Sequence, residues 1–137
     1  MTLIRKWLIV LLTMGALAVS AAGAAAKESV FVNLTSDEPH RVTMCLLFAS
    51  SLVKDGHDVT LFINVDAARL ASTKAPKLAE QRKELQAFLQ DGGKAIICPH
   101  CMKARKIAEG DLIKGVVIGG KGEARQAFLA STRSITY

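Results

Sequence analysis

Five short β-rich runs, separated in turn by stretches of helical periodicity, restrict this chain to an α/β sheet more firmly than any other feature. Residues 29–34 (SVFVNL), 58–63 (DVTLFI), 94–98 (KAIIC), 115–118 (GVVI) and 134–137 (SITY) have strand length and strand composition. After the first run, Asp37 is placed as a helix N-cap with Pro39 in the first turn. Val42, Cys45, Leu46, Ala49, Leu52 and Val53 then share one helical face until Asp55-Gly56 ends it. Residues 64–76 form a loop with at most a short helix, and residues 77–90 repeat the helical pattern until Asp91-Gly92-Gly93. Residues 100–107 and 123–131 supply the last two helices. Parallel strands joined by helices need right-handed crossovers, which cover both sheet faces. The expectation is a single flavodoxin-like, three-layer α/β domain with a mostly parallel five-stranded sheet of order 2-1-3-4-5.

That order makes the first and third strands neighbours, and ligands bind such sheets beyond the carboxyl ends of the strands, at the switch point. Four loops therefore compete for the site: residues 35–40, 64–76, 98–101 and 119–122. Ser36, Asp37 and His40 are expected to lie beside Cys98 and His100 as ligand-binding residues. His40 or the helix start at Asp37 would tune the Cys98 thiolate, the plain alternative being an N-cap and a solvated histidine.

Half of the 137 residues are hydrophobic, and the apolar excess is concentrated before residue 27. Two cations in residues 1–6 precede an apolar run over residues 7–19, and residues 20–26 are nearly all small. This is the three-part layout of a secretory signal peptide. Its 13-residue apolar run falls short of the roughly 20 that a membrane-spanning helix needs. Residues 1–26 are read as a signal peptide and residues 27–137 as the mature domain, periplasmic or secreted, with no stable membrane span after cleavage. An oxidising compartment would follow, in which paired thiols tend to join.

Cys98-Pro99-His100-Cys101 is the sharpest chemical signal, a C-x-x-C where an apolar strand meets a helix start. A helix N-terminus and the cations Lys103, Arg105 and Lys106 favour a nucleophilic thiolate at Cys98. A structural disulfide or an inert pair is the plain alternative. A thioredoxin-like fold fits poorly, because only 36 residues follow Cys101 and Pro99 is the last proline, leaving none for the cis-proline opposite the thiols. Cys98, His100 and Cys101 also offer soft metal ligands, with Cys45 or His40 as completing donors, but no second C-x-x-C is present. Cys45 is otherwise a small core residue and His57 a solvated turn residue. Gly119-Gly120-Lys121-Gly122 lacks the full phosphate-loop pattern and is a turn. The net charge of residues 27–137, +4, is modest and spread over helices, so nucleic acid is not an expected partner. No cofactor is called for.

The opening strand SVFVNLTSD, the segment RVTMCLLFASSLVKDGHDVTLFIN and the stretch LQDGGKAIICPHCMKARKIAEGDLIKGVVIGG together resemble the DsrE/DsrF-like family over nearly all of the mature sequence. The resemblance implies a five-stranded parallel sheet, assembly into homo-oligomers, and a sulfur-handling cysteine at the helix start after the third strand, where Cys98 stands. Persulfide-carrying subunits of sulfur-relay complexes have one cysteine there. Cys101 is additional, and Lys106 replaces a glycine common near the end of that helix. The reading is an exported sulfur-handling protein with Cys98, Cys101 and His100 as catalytic residues. Cys98 carries sulfane sulfur as a persulfide and Cys101 resolves it. Donor or acceptor proteins or small sulfane-sulfur compounds would be the partners. The alternatives are a soft-metal or small-ligand binder using the same loop, or a thiol-disulfide oxidoreductase.

Overall fold

A computed structural model describes residues 26–137, so the expected signal segment lies almost wholly outside the described residues. The chain forms β1 (Ser29–Leu34), α1 (Pro39–Lys54), β2 (Asp58–Ile63), α2 (Ala79–Gln90), β3 (Lys94–Ile97), α3 (Pro99–Ala104), β4 (Val116–Ile118), α4 (Glu123–Ala130) and β5 (Arg133–Thr136). A 3-10 segment, Val65–Ala71, occupies the long loop after β2, and another, Pro76–Leu78, leads into α2. Two boundaries move for local reasons. Glu38, not Asp37, caps α1, its carboxylate accepting from the N–H groups of His40 and Arg41 at 3.0 and 2.7 Å. α3 stops at Ala104, because Lys106 turns the backbone left-handed with φ 55°.

All five strands are parallel, as expected, but their order is β4-β3-β2-β1-β5, not 2-1-3-4-5. β2 stands between β1 and β3. The expected meeting of the loops after β1 and β3 therefore fails in the form proposed. Both orders can be built from right-handed crossovers and differ in the direction and length of the steps across the sheet. Three steps run from β1 toward β4, and handedness puts their helices on one face. The last step returns to the far side of β1 and puts α4 on the other face.

The side chains follow this division. Val30, Val32, Leu34, Val59, Leu61, Ile63, Ala95 and Ile97 point to the face of α1, α2 and Met102 of α3, where they form the core with Val42, Cys45, Leu46, Ala49, Leu85 and Phe88. The alternate residues Phe31, Asn33, Phe62, Ile96 and Val117 point the other way, toward α4. Phe31 meets Phe62 at 6.0 Å between ring centres and Phe128 of α4 edge-on at 5.5 Å. One eight-residue helix is short cover for this face, and Phe128 and Leu129 stay 51% and 74% exposed.

Candidate functional site

The reversal of chain direction places the switch point between β3 and β4. The loop after β3 leaves toward the α1 face, and the loop after β4 leaves toward α4. A cavity of about 620 Å³ opens on the α4 face of the sheet, over β1 and the end of β2 and beside the loop after β3. Its walls are Phe31, Phe62, Phe128 and Ala124, and its polar groups are Asn33, Asn64 and Arg125. Cys98 and Cys101 line it together with Val65. Cys98 directly follows β3 and occupies the N-cap of α3, its N–H donating to the Ile63 carbonyl at 3.0 Å. Cys101 follows one turn later.

Both thiols are free and partly buried. Burial raises the Cys101 pKa above the ordinary thiol value, and its hydrogen bond with Cys98 raises it further. A hydrogen bond from the Val65 N–H and the charge of Arg105 oppose that rise. Burial and the neighbouring Cys98 thus favour the protonated form of Cys101.

The Val65 contact has a backbone origin. Asn64 N–H donates to Leu34 O at 3.0 Å, and Asp66 and Ala67 N–H both donate to Thr35 O, at 3.1 and 3.2 Å. These bonds tie the loop to the end of β1, while Val65 between them adopts φ 52°, a left-handed conformation that costs a β-branched residue about 1–2 kcal/mol. Its N–H is thereby aimed at Cys101 Sγ, 3.1 Å away. Strain of this kind persists where the surrounding structure enforces it and gathers at functional sites. No sequence signal marks a valine for positive φ, so periodicity could not have found it.

The remaining expected residues are placed differently. Ser36 Oγ accepts from the Glu38 N–H at 3.1 Å, His40 is exposed on the first turn of α1, and neither lines the cavity. Asp37 does not line it either, but it pairs with Arg69 at 2.9 Å. Arg69 also pairs with Asp66 at 3.1 Å, and Asp66 holds Arg105. A chain of ion pairs therefore runs from the β1 loop to the cation that acts on Cys101. His100 is exposed on α3 and is not part of the cavity wall. His57 is tied in, contrary to the solvated reading, because its Nδ1 accepts the Glu28 N–H at 3.1 Å. Cys45 is fully buried under α1, which matches its reading as a core residue. Among the described residues no three His, Cys, Asp or Glu side chains converge as metal ligands. None of their helices is long and apolar enough to cross a membrane.

The aromatic walls were missed in the sequence, although a signal existed. In β1, Phe31 and Asn33 alternate with the core residues Val30, Val32 and Leu34, and in β2 Phe62 falls between Leu61 and Ile63. Both strands therefore carry a second apolar face that needs a cover or a ligand.

The fold has solved counterparts. The ychN protein from E. coli is 23% identical over 81% of this chain and 99% of its own, with a TM-score of 0.64. MTH1491 from Methanobacterium thermoautotrophicum, described as a protein of unknown function, is 15% identical over 79% of this chain and 97% of its own, with a TM-score of 0.67. No curated protein matches the sequence. The sequence model of the DsrE/DsrF-like family matches residues 27–137, every residue after the expected signal segment, and the chain belongs to that family.

Proposed function

We propose that this protein is an exported sulfur carrier in which Cys98 accepts sulfane sulfur as a persulfide and Cys101 resolves it. One observation carries the reading: two free thiols line one cavity beneath α4, and Cys101 Sγ accepts a hydrogen bond from the strained Val65 peptide N–H. Family membership supports a role in sulfur relay.

In this reading the Cys98 thiolate attacks the sulfane sulfur of a donor. The bond from that sulfur to the donor's leaving group breaks, and its electron pair departs with the leaving group. Cys98 then holds Sγ–S⁻, which either passes its outer sulfur to an acceptor thiolate or is released by Cys101. For release, Cys101 Sγ bonds to Cys98 Sγ, the Sγ–S bond breaks, and the Cys101 proton goes to the departing sulfur as hydrosulfide. A dithiol reductant returns the pair to thiols and is itself oxidised to a disulfide. The raised pKa of Cys101 suits this order, because the proton stays in place until the second step.

Asp37 acts at a distance, through Arg69 and Asp66, on Arg105, and His100 stands exposed on α3 beside the loop. Ser36 and His40 serve as scaffolding of the first loop. Homo-oligomeric assembly is part of the proposal. The exposed Met44, Leu47 and Phe48 on one side of α1 form an apolar stripe that a second copy would cover.

The test is to load the reduced protein with polysulfide and follow unloading. Wild type should lose the added sulfur and gain a Cys98–Cys101 disulfide, whereas Cys101→Ser should retain the persulfide on Cys98. Equal unloading in both proteins contradicts the resolving role. Export is tested by the N-terminus of the natively localised protein, which should start at Ala25 or Lys27. An intact Met1 in a membrane fraction contradicts it.

A further inference from the structure

The cavity beside the cysteines is built for more than a bare sulfur atom. Three phenylalanine rings and Ala124 form its walls, and its volume of about 620 Å³ lies within the range of small-molecule sites. An inorganic polysulfide or thiosulfate ion gains nothing from such walls, since a small anion is better solvated by water than by aromatic rings. An aryl or branched alkyl body does gain, through area removed from water and edge-to-face contact with Phe31 and Phe128.

One cation also reaches this space. Arg125 lines the cavity on α4, and among the described residues it forms no ion pair, whereas Arg69, Arg105 and Arg133 are each held by a carboxylate. A guanidinium beside an apolar wall fits a ligand with an apolar body and an oxyanion end. Asn64, 9% exposed, donates through Nδ2 to Asn33 Oδ1 at 2.6 Å, which fixes the polar part of the floor.

We propose that the cavity binds a small organic sulfane-sulfur anion of the thiosulfonate class, its apolar body between Phe31, Phe62 and Phe128 and its sulfonyl oxygens on Arg125. This deepens the sulfur-carrier reading and rests on it for the chemistry, though not for the binding. The Cys98 thiolate bonds to the terminal sulfur of the thiosulfonate. The bond between that sulfur and the sulfonyl sulfur breaks, and the electron pair leaves with the sulfinate. Cys98 is left as a persulfide anion. Charge and atoms balance without a further oxidant or reductant. Arg125 receives the sulfinate charge as it forms.

The experiment separates binding from chemistry. Toluenesulfonate, which has no sulfur to give, is titrated into the reduced wild-type protein while Cys98 alkylation is followed. It should bind and slow alkylation, and methanesulfonate should bind about tenfold or more weakly because it lacks the ring. Arg125→Gln should weaken toluenesulfonate about tenfold, and Phe128→Leu should weaken it less while keeping the helix packed. In parallel, toluenethiosulfonate should load Cys98 faster than methanethiosulfonate or thiosulfate. No binding of toluenesulfonate, binding indifferent to Arg125→Gln, or equal loading by aryl and inorganic donors overturns the proposal. If polysulfide loads Cys98 while toluenesulfonate does not bind, the ligand class is wrong and the carrier stands. If toluenesulfonate binds as described and no donor loads Cys98, the carrier reading falls and the site stands.

Discussion

Replacing Cys45 with alanine should change the shape of the stability curve with pH, not merely its height. Cys45 is fully buried beneath α1, and burial pushes its thiol from an ordinary 9.0 up to about 12. The folded chain then keeps a proton that the unfolded chain releases. Its contribution is complete below about pH 9 and is lost as pH rises toward 12, at up to about 1.4 kcal/mol per pH unit. Over that window the loss reaches about 4 kcal/mol. Cys45→Ala removes the titration and leaves a small cavity worth about 1 kcal/mol, less than the cost of a Leu→Ala change. Wild type should be the more stable protein at neutral pH, and the two curves should cross between about pH 9 and pH 11. Tyr137 also has a raised pKa, first from burial and then from Cys45, so the difference between the two proteins reads the thiol together with its smaller effect on the phenol. Urea unfolding followed by far-UV circular dichroism under reducing conditions measures both curves. Parallel curves up to pH 11 would show that Cys45 is not buried as a protonated thiol and would refute the reasoning.

In iodoacetamide time courses at mildly alkaline pH, Cys98 should react first, Cys101 more slowly because burial and Cys98 hold its proton, and Cys45 only on unfolding; Cys101 or Cys45 leading would remove the basis for Cys98 as nucleophile. Lys106→Gly should stabilise the protein by about 0.5–1 kcal/mol, read as a higher Tm, because Lys106 sits at φ 55° and glycine adopts that conformation without strain. Gly93→Ala should destabilise it by about 1–3 kcal/mol in chemical unfolding, since the new methyl group would collide with the buried ring of Phe88.

Local pattern carried most of the fold. β1 and β2 fall on the residues their composition indicates, and the buried face of α1 is the one that Val42, Cys45, Leu46 and Ala49 define. Strand order was not legible, because the periodicity of each element is the same whichever way the chain steps across the sheet. Nothing in Arg133–Thr136 says that this strand pairs with β1. That one placement moved the switch point from between the first and third strands to between β3 and β4. Cys98 and Cys101 were visible because their spacing alone implies proximity. Ser36, Asp37 and His40 were drawn in by the strand order and leave the cavity wall with it. Val65 and Arg125 enter through backbone strain and helix placement, which depend on the whole sheet.

The claim at the centre of this account is that Cys98 is the atom on which sulfur is carried. Its most direct test is the intact mass of the reduced protein after brief exposure to a sulfane-sulfur donor, measured for wild type, Cys98→Ser and Cys101→Ser. The account predicts a gain of one sulfur atom on wild type and on Cys101→Ser, mapped to Cys98, and no gain on Cys98→Ser. A persulfide that forms equally well on Cys98→Ser, or that maps to Cys101 or Cys45, contradicts it.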